Sequence, residues 1–348
     1  MKRLLLVLAA AAVALAVGGS AVPAPRDVHS SPAGSRYPWP LAPFDEPHPV
    51  RAAVGDPRTI FRGAARENPL GASGTFSFHN GIDIDARNGT PVYPVVSGIA
   101  RWITDDGGVL VQADDGRLFM YRHIVPAVRQ WERVTARETV LGRVENWAEE
   151  LHFSEFTPDE RIANPLLPGH LAPYADTTSP TVARLHFRDR RGKPLASFDL
   201  HGRIAVSAEA YDTPMPVAPA SRRAFSVSKF AQDRFPVAPA ALTWSLSTLG
   251  DRVVVPFTRV ADFRLPMPQN TSLWTVYARG TFQNRSVIGG RMHSFMPGRF
   301  LFRLTPSPLD TRKLANGVYV ATVTATDASG NRGSLSERLE IWNSRRSR

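Results

Sequence analysis

Two short stretches carry residue types and spacings that suit metal chemistry. Residues 79–83 read HNGID, which sets a histidine and an aspartate four apart around a glycine. Residues 150–155 read ELHFSE, with His152 two places after Glu150. In an extended strand Ile82 and Ile84 share one side, so Asp83 points to the other. By the same alternation Leu151 and Phe153 take the core side, and Glu150 and His152 share the opposite face. Two imidazoles and one carboxylate leave a fourth tetrahedral position open, which is what a catalytic zinc ion requires. His79, His123 and His152 are the histidines whose surroundings could aim them at a common point. His29, His170, His186, His201 and His293 lack such company and are read as surface or strand residues.

The elements that must position these side chains read as strands. Short, often alternating apolar runs are bounded by Gly and Pro at Gly81–Asp85, Pro91–Val96, Gly108–Gln112 and Leu118–Tyr121. Ile124–Arg137 is the one weak helical candidate. Proline-rich 164–170 marks a boundary, beyond which Thr181–Phe187, Arg203–Tyr211 and Val318–Thr326 alternate and are rich in β-branched residues. Asn316-Gly317 and the 327–331 stretch DASGN are turn sequences around a last pair of strands. Asp212 and Asp327 stand at strand ends, where carboxylates can bind calcium; turn formation explains them better. The pattern predicts an all-β chain: a compact antiparallel core over 39–170, then a β-sandwich over 171–348.

The chain of 348 residues begins MKR, runs apolar over Leu4–Val17 and reaches small residues at Gly19-Ser20-Ala21. That is the layout of a secretory signal peptide cleaved after Ala21, and 22–38 reads as a Pro/Ser/Ala linker. No later segment is apolar enough to cross a bilayer. There is no cysteine, which excludes disulfides and a lipoprotein anchor, so stability must come from the core or from a metal. The net charge of +11 is split. Residues 39–170 hold 13 Arg against 18 acidic residues, giving −5; residues 171–348 hold 25 basic against 12 acidic, giving +13. The basic half invites an anionic partner, and for an exported chain envelope polymers or lipid headgroups fit better than nucleic acid.

HNGID followed by RNGTPVYPVVSG resembles the lysostaphin/LytM-type zinc metallopeptidases, whose core reads H-x-G-x-D and then G-T-P-V-x-x-x-x-x-G. The Phe44–Arg58 stretch looks like the entry strand before that motif, Tyr121-Arg122-His123 resembles the family's Y-x-H, and Leu151-His152-Phe153 the second half of its H-x-H-F. The resemblance covers about 39–169. It implies a β core that holds one zinc ion per chain and cuts peptide cross-links in bacterial peptidoglycan.

Carried over, the zinc ligands would be His79, Asp83 and His152, with His123 a further catalytic histidine beside the zinc-bound water. Glu150 stands where the family has the first histidine of H-x-H. It would act either as a general base or as a further zinc ligand that leaves a structural site. Trp131-Glu132 and Arg137 also depart, standing where the family has a Gly-Asp pair and a glycine. The C-terminal ending resembles the last strands of an immunoglobulin-like module. The leading expectation is an exported peptidoglycan endopeptidase. Its rivals are a degenerate domain that binds wall peptides or regulates a partner hydrolase, and a structural wall protein with a vestigial metal site.

Overall fold

A computed structural model describes residues 36–58, 77–103, 107–145, 149–216, 235–268, 271–286 and 295–343. The signal peptide over 1–21, most of the linker, His29 and His293 lie outside the described residues. Among the described residues the only helical turns are two 3-10 turns, and all strand pairs within sheets are antiparallel. The chain is all-β, as the alternation predicts. No helix among the described residues is long and apolar enough to cross a membrane.

The largest sheet runs in the order Val50–Ala52, Ile82–Asp85, Glu150–Phe156, Leu118–Arg122, Gly108–Ala113, Gly98–Trp102 and Glu132–Val134. Ile82, Ile84, Val109, Val111, Phe119, Tyr121, Leu151 and Phe153 are fully buried. Each such side chain contributes about 1.5–3 kcal/mol of burial. Phe119 and Phe153 stack at 6.2 Å, and Tyr37 meets Phe119 edge-on at 5.1 Å. Composition assigns Tyr37 to the linker; instead it is buried and bridges to Leu171, because its ring completes this aromatic cluster. The helical expectation at Ile124–Arg137 is also wrong. That stretch forms strands at Ile124–Pro126 and Glu132–Val134, since its few apolar residues pair with neighbouring strands instead of making one helical stripe.

Beyond residue 180 the chain makes two further antiparallel sheets. One runs Pro194–Leu195, Thr181–Arg188, Arg203–Tyr211 and Leu301–Arg303, with Leu309–Asp310 also paired to Arg203–Tyr211. The other runs Val253–Asp262, Ala241–Thr248, Gly317–Thr326 and Arg332–Ile341. Ile204, Val206 and Ala208 from the first and Leu242, Trp244, Leu246, Tyr319, Ala321 and Val323 from the second are buried in alternation, as period-2 strands require.

Segments that flank the C-terminal sheets also hold the loop that leads into the candidate site. Tyr277 donates from its hydroxyl to the Gly55 carbonyl at 2.8 Å, and the Ala238 N–H donates to Asp56 Oδ1 at 2.6 Å. Gly55 has φ +91°, and a Cβ there would stand 2.4 Å from the Phe263 ring, so only glycine fits.

Candidate metal centre

Strand pairing brings the two motifs together. In the antiparallel pairing of Ile82–Asp85 with Glu150–Phe156, His152 faces Asp83 and Glu150 faces Asp85. All four therefore project from the face opposite Ile82, Ile84, Leu151 and Phe153. Gly81 answers the glycine of HNGID: a Cβ there would lie 2.3 Å from the Phe153 carbonyl oxygen and 2.5 Å from Ser154 Oγ. The close approach it permits lets the histidine loop join the strand that carries His152.

His79 enters from the preceding loop. Its N–H donates to the Asp56 carbonyl at 2.8 Å, and its carbonyl accepts from the Gly55 N–H at 3.0 Å. Its ring Nδ1 lies 3.1 Å from the Ala53 carbonyl oxygen. A carbonyl only accepts, so Nδ1 carries the proton and Nε2 keeps its lone pair. Burial, followed by the Arg58 charge, pushes His79 down to about 3, which keeps this imidazole neutral at any ordinary pH.

Three donor atoms converge. His79 Nε2 lies 2.9 Å from His152 Nδ1 and 3.0 Å from Asp83 Oδ1, and His152 Nδ1 lies 2.9 Å from Asp83 Oδ1. His152 Nε2 is 2.9 Å from Ser154 Oγ, a partner that turns Nδ1 toward the other two. Zinc bonds of about 2.0–2.1 Å in tetrahedral directions put ligand atoms roughly 3.3 Å apart, so this triangle is within a few tenths of an ångström of a zinc set. Two nitrogens and one carboxylate oxygen, all buried, with outer atoms fixed by Ala53 and Ser154, fit that ion.

Asp83 divides its oxygens. Oδ1 faces the imidazoles, while Oδ2 accepts from Arg58 Nη2 at 2.7 Å. Burial alone would raise its carboxyl; His79 and the Arg58 guanidinium outweigh that and hold it well below the usual range. No feature of its surrounding sequence picks out Arg58.

Glu150 and His123 stand beside the triangle, and neither belongs to the set whose ligand atoms lie within 4.8 Å of one another. Glu150 Oε1 is 4.0 Å from His123 Nε2, and Oε2 is 3.5 Å from Arg51 Nη1. Burial, then the charge of Asp83, pushes Glu150 up to about 7 against the pull of Arg51 and Arg58. Its side chain remains 21% exposed, which leaves it in reach of a substrate. His123 follows its strand with φ 64°, a left-handed turn that directs the ring to within 6.1 Å of His152. Burial pushes it down to about 4.

Other histidines separate as expected, with one exception. His186 pairs with Glu209 at 3.1 Å and His201 stays exposed. His170, read as a surface or strand residue, instead puts Nδ1 2.6 Å from Glu155 Oε2, where the Tyr37 hydroxyl also donates. Glu155 is buried, and a buried carboxylate requires such partners.

No family model matches the chain, and no curated protein matches it in sequence. Several solved structures are similar to part of it. A chain of the SpoIIQ–SpoIIIAH pore forming complex is 21% identical, covering 38% of this chain and 89% of its own, with a TM-score of 0.29. A mutant catalytic domain of the prophage-encoded M23 protein EnpA from Enterococcus faecalis is 22% identical over 36% of this chain and 95% of its own, with a TM-score of 0.27. LytU is 16% identical over 35% of this chain and 84% of its own, with a TM-score of 0.26. At these scores the weight rests on the geometry of the chain itself.

Proposed function

We propose that the chain is an exported zinc-dependent endopeptidase that cleaves peptide bonds in bacterial peptidoglycan. The observation that carries this reading is the triangle of His79 Nε2, Asp83 Oδ1 and His152 Nδ1, with edges of 2.9–3.0 Å and with Glu150 and His123 beside it. Zinc held there would supply a Lewis acid and a bound water with a pKa near about 7. Glu150 is the proton acceptor in this reading: its partly exposed carboxylate stands beside the triangle, with Oε1 toward His123. Arg51, against its other oxygen, fixes the carboxylate's direction. His123, kept neutral, offers an N–H to the oxyanion that develops on a substrate carbonyl.

The basic half, residues 171–348, is the proposed wall anchor. Arg188, Arg190, Arg191 and Lys193 are exposed together on one hairpin and suit anionic envelope polymers.

One observation favours a second reading, a degenerate domain that binds wall peptides without cutting. Arg58 already neutralises Asp83, and a like charge beside a metal site weakens cation binding. Zinc-loaded mature chain incubated with purified peptidoglycan decides between them: an endopeptidase releases new amines, whereas a binder is retained on the wall and releases none.

A further inference from the structure

We infer that Asp176, Asp212 and Asp327 form a second cation site, taking a hard divalent ion of the calcium class, which ties the segment entering the C-terminal half to both of its sheets. Asp176 lies in that segment, Asp212 directly follows Arg203–Tyr211 of one sheet, and Asp327 directly follows Gly317–Thr326 of the other. One carboxylate oxygen from each comes within 4.8 Å of the others, and the three residues are 5%, 5% and 2% exposed.

Their turn roles account for only part of their bonding capacity. Asp212 Oδ1 accepts from the Thr213 N–H at 2.8 Å. Asp327 accepts from the backbone N–H and the side-chain amide of Asn331 at 2.8 and 2.7 Å. Asp176 Oδ1 accepts from the N–H and hydroxyl of Thr178 at 2.9 and 2.6 Å. The other oxygen of Asp176, Oδ2, is buried and has no hydrogen-bond partner among the described residues. An unpartnered buried carboxylate oxygen is costly, and with two more buried carboxylates beside Asp176 a cation is the partner that serves all three.

Among the described residues no arginine or lysine pairs with any of the three. Left to themselves they repel: burial, then Asp176 and Asp327, push Asp212 up to about 8. Asp212 also lines a small pocket with Tyr174 and Ala328. An all-oxygen donor set selects a hard ion over zinc, and calcium, with 6–8 oxygen ligands in flexible geometry, tolerates carboxylates drawn from three separate segments. The site is distinct from the His79–Asp83–His152 triangle in donor chemistry and in the strands that build it.

The test uses the mature full-length chain stripped with EGTA and titrated with calcium chloride at pH 7.5, reading bound calcium and melting temperature. One calcium per chain and a rise in melting temperature are expected. Asp83→Ala should keep both, while Asp176→Asn and Asp212→Asn should each weaken calcium binding at least about tenfold. If either Asn variant fails to fold, the wild-type titration against EGTA still decides. EGTA-stripped wild type that binds no calcium at millimolar concentration, or whose melting temperature added calcium does not raise, overturns the inference, as does loss of calcium binding in Asp83→Ala with retention in Asp212→Asn.

Discussion

His152 stands directly opposite Asp83 across two antiparallel strands, and its Nδ1 lies 2.9 Å from the carboxylate Oδ1. That register closes a triangle of candidate metal donors with His79, a residue that no strand repeat connects to either. Wild type should therefore carry about one zinc per chain, lost in Asp83→Ala and His152→Ala and kept in His186→Ala. Zinc held by all three residues would stabilise only the folded chain, so its loss should lower the melting temperature. Metal analysis of freshly purified protein checks this.

Arg58 holds the outer oxygen of Asp83 at 2.7 Å, so its charge competes with a cation on the inner one. Arg58→Gln keeps an N–H donor and removes the charge. Zinc affinity should then rise about tenfold, which is about 1.4 kcal/mol. Competition against a chromophoric chelator measures it. A fall of about 10–100-fold would instead mean that Arg58 chiefly orients its carboxylate.

Asp56 links the site loop to the C-terminal half through the Ala238 N–H, just before the strand Ala241–Thr248, and burial pushes its carboxyl from 3.8 to about 7. The folded state thus holds a proton that the unfolded state has released between these values. The stability from this group is complete below about 3.8 and is lost as pH rises through about 7. Relative to Asp56→Asn, wild type should lose up to roughly 4 kcal/mol between pH 4 and 7.5. Denaturant titrations at the two pH values give the difference, and an unchanged difference would contradict the assignment.

The +13 charge of residues 171–348 predicts electrostatic wall binding. Retention of the full chain on isolated walls should fall steeply between roughly 0.05 and 0.5 M salt as screening shortens. Replacing Arg188, Arg190, Arg191 and Lys193 with glutamine should weaken it further at low salt. Equal binding at both salt concentrations would leave the charge a solubility feature.

Much of the site was legible because it lies on strands, where period 2 fixes which side chains share a face. Asp83, Glu150 and His152 could be assigned to the non-core side from Ile82, Ile84, Leu151 and Phe153 alone. The resemblance named His79, Asp83 and His152 as candidate ligands, and the strand pairing sets their donor atoms 2.9–3.0 Å apart. It also gave glycines where this chain has Trp131 and Arg137, and both adopt left-handed φ, at 67° and 64°. Left-handed backbone at these two non-glycine residues costs about 1–2 kcal/mol per residue, which the surrounding loops absorb. Arg51, Arg58 and Asp176 were not legible, because their roles arise from contacts between segments far apart in sequence. Ile124–Arg137 misled for a related reason: its apolar residues serve two different sheets, so no local period describes them.

Glu150 tests the central claim most directly. It sits with His123 on one side and Arg51 on the other, outside the triangle of His79, Asp83 and His152, and its proposed role is that of a base. The measurement is the rate of amine release from purified peptidoglycan by zinc-loaded wild type, Glu150→Ala and Glu150→His, with zinc content determined for each. Wild type should cut, Glu150→Ala should retain zinc and be slower by about 10²–10⁴. Zinc-loaded wild type that releases no amines, while Glu150→His does, would contradict the account.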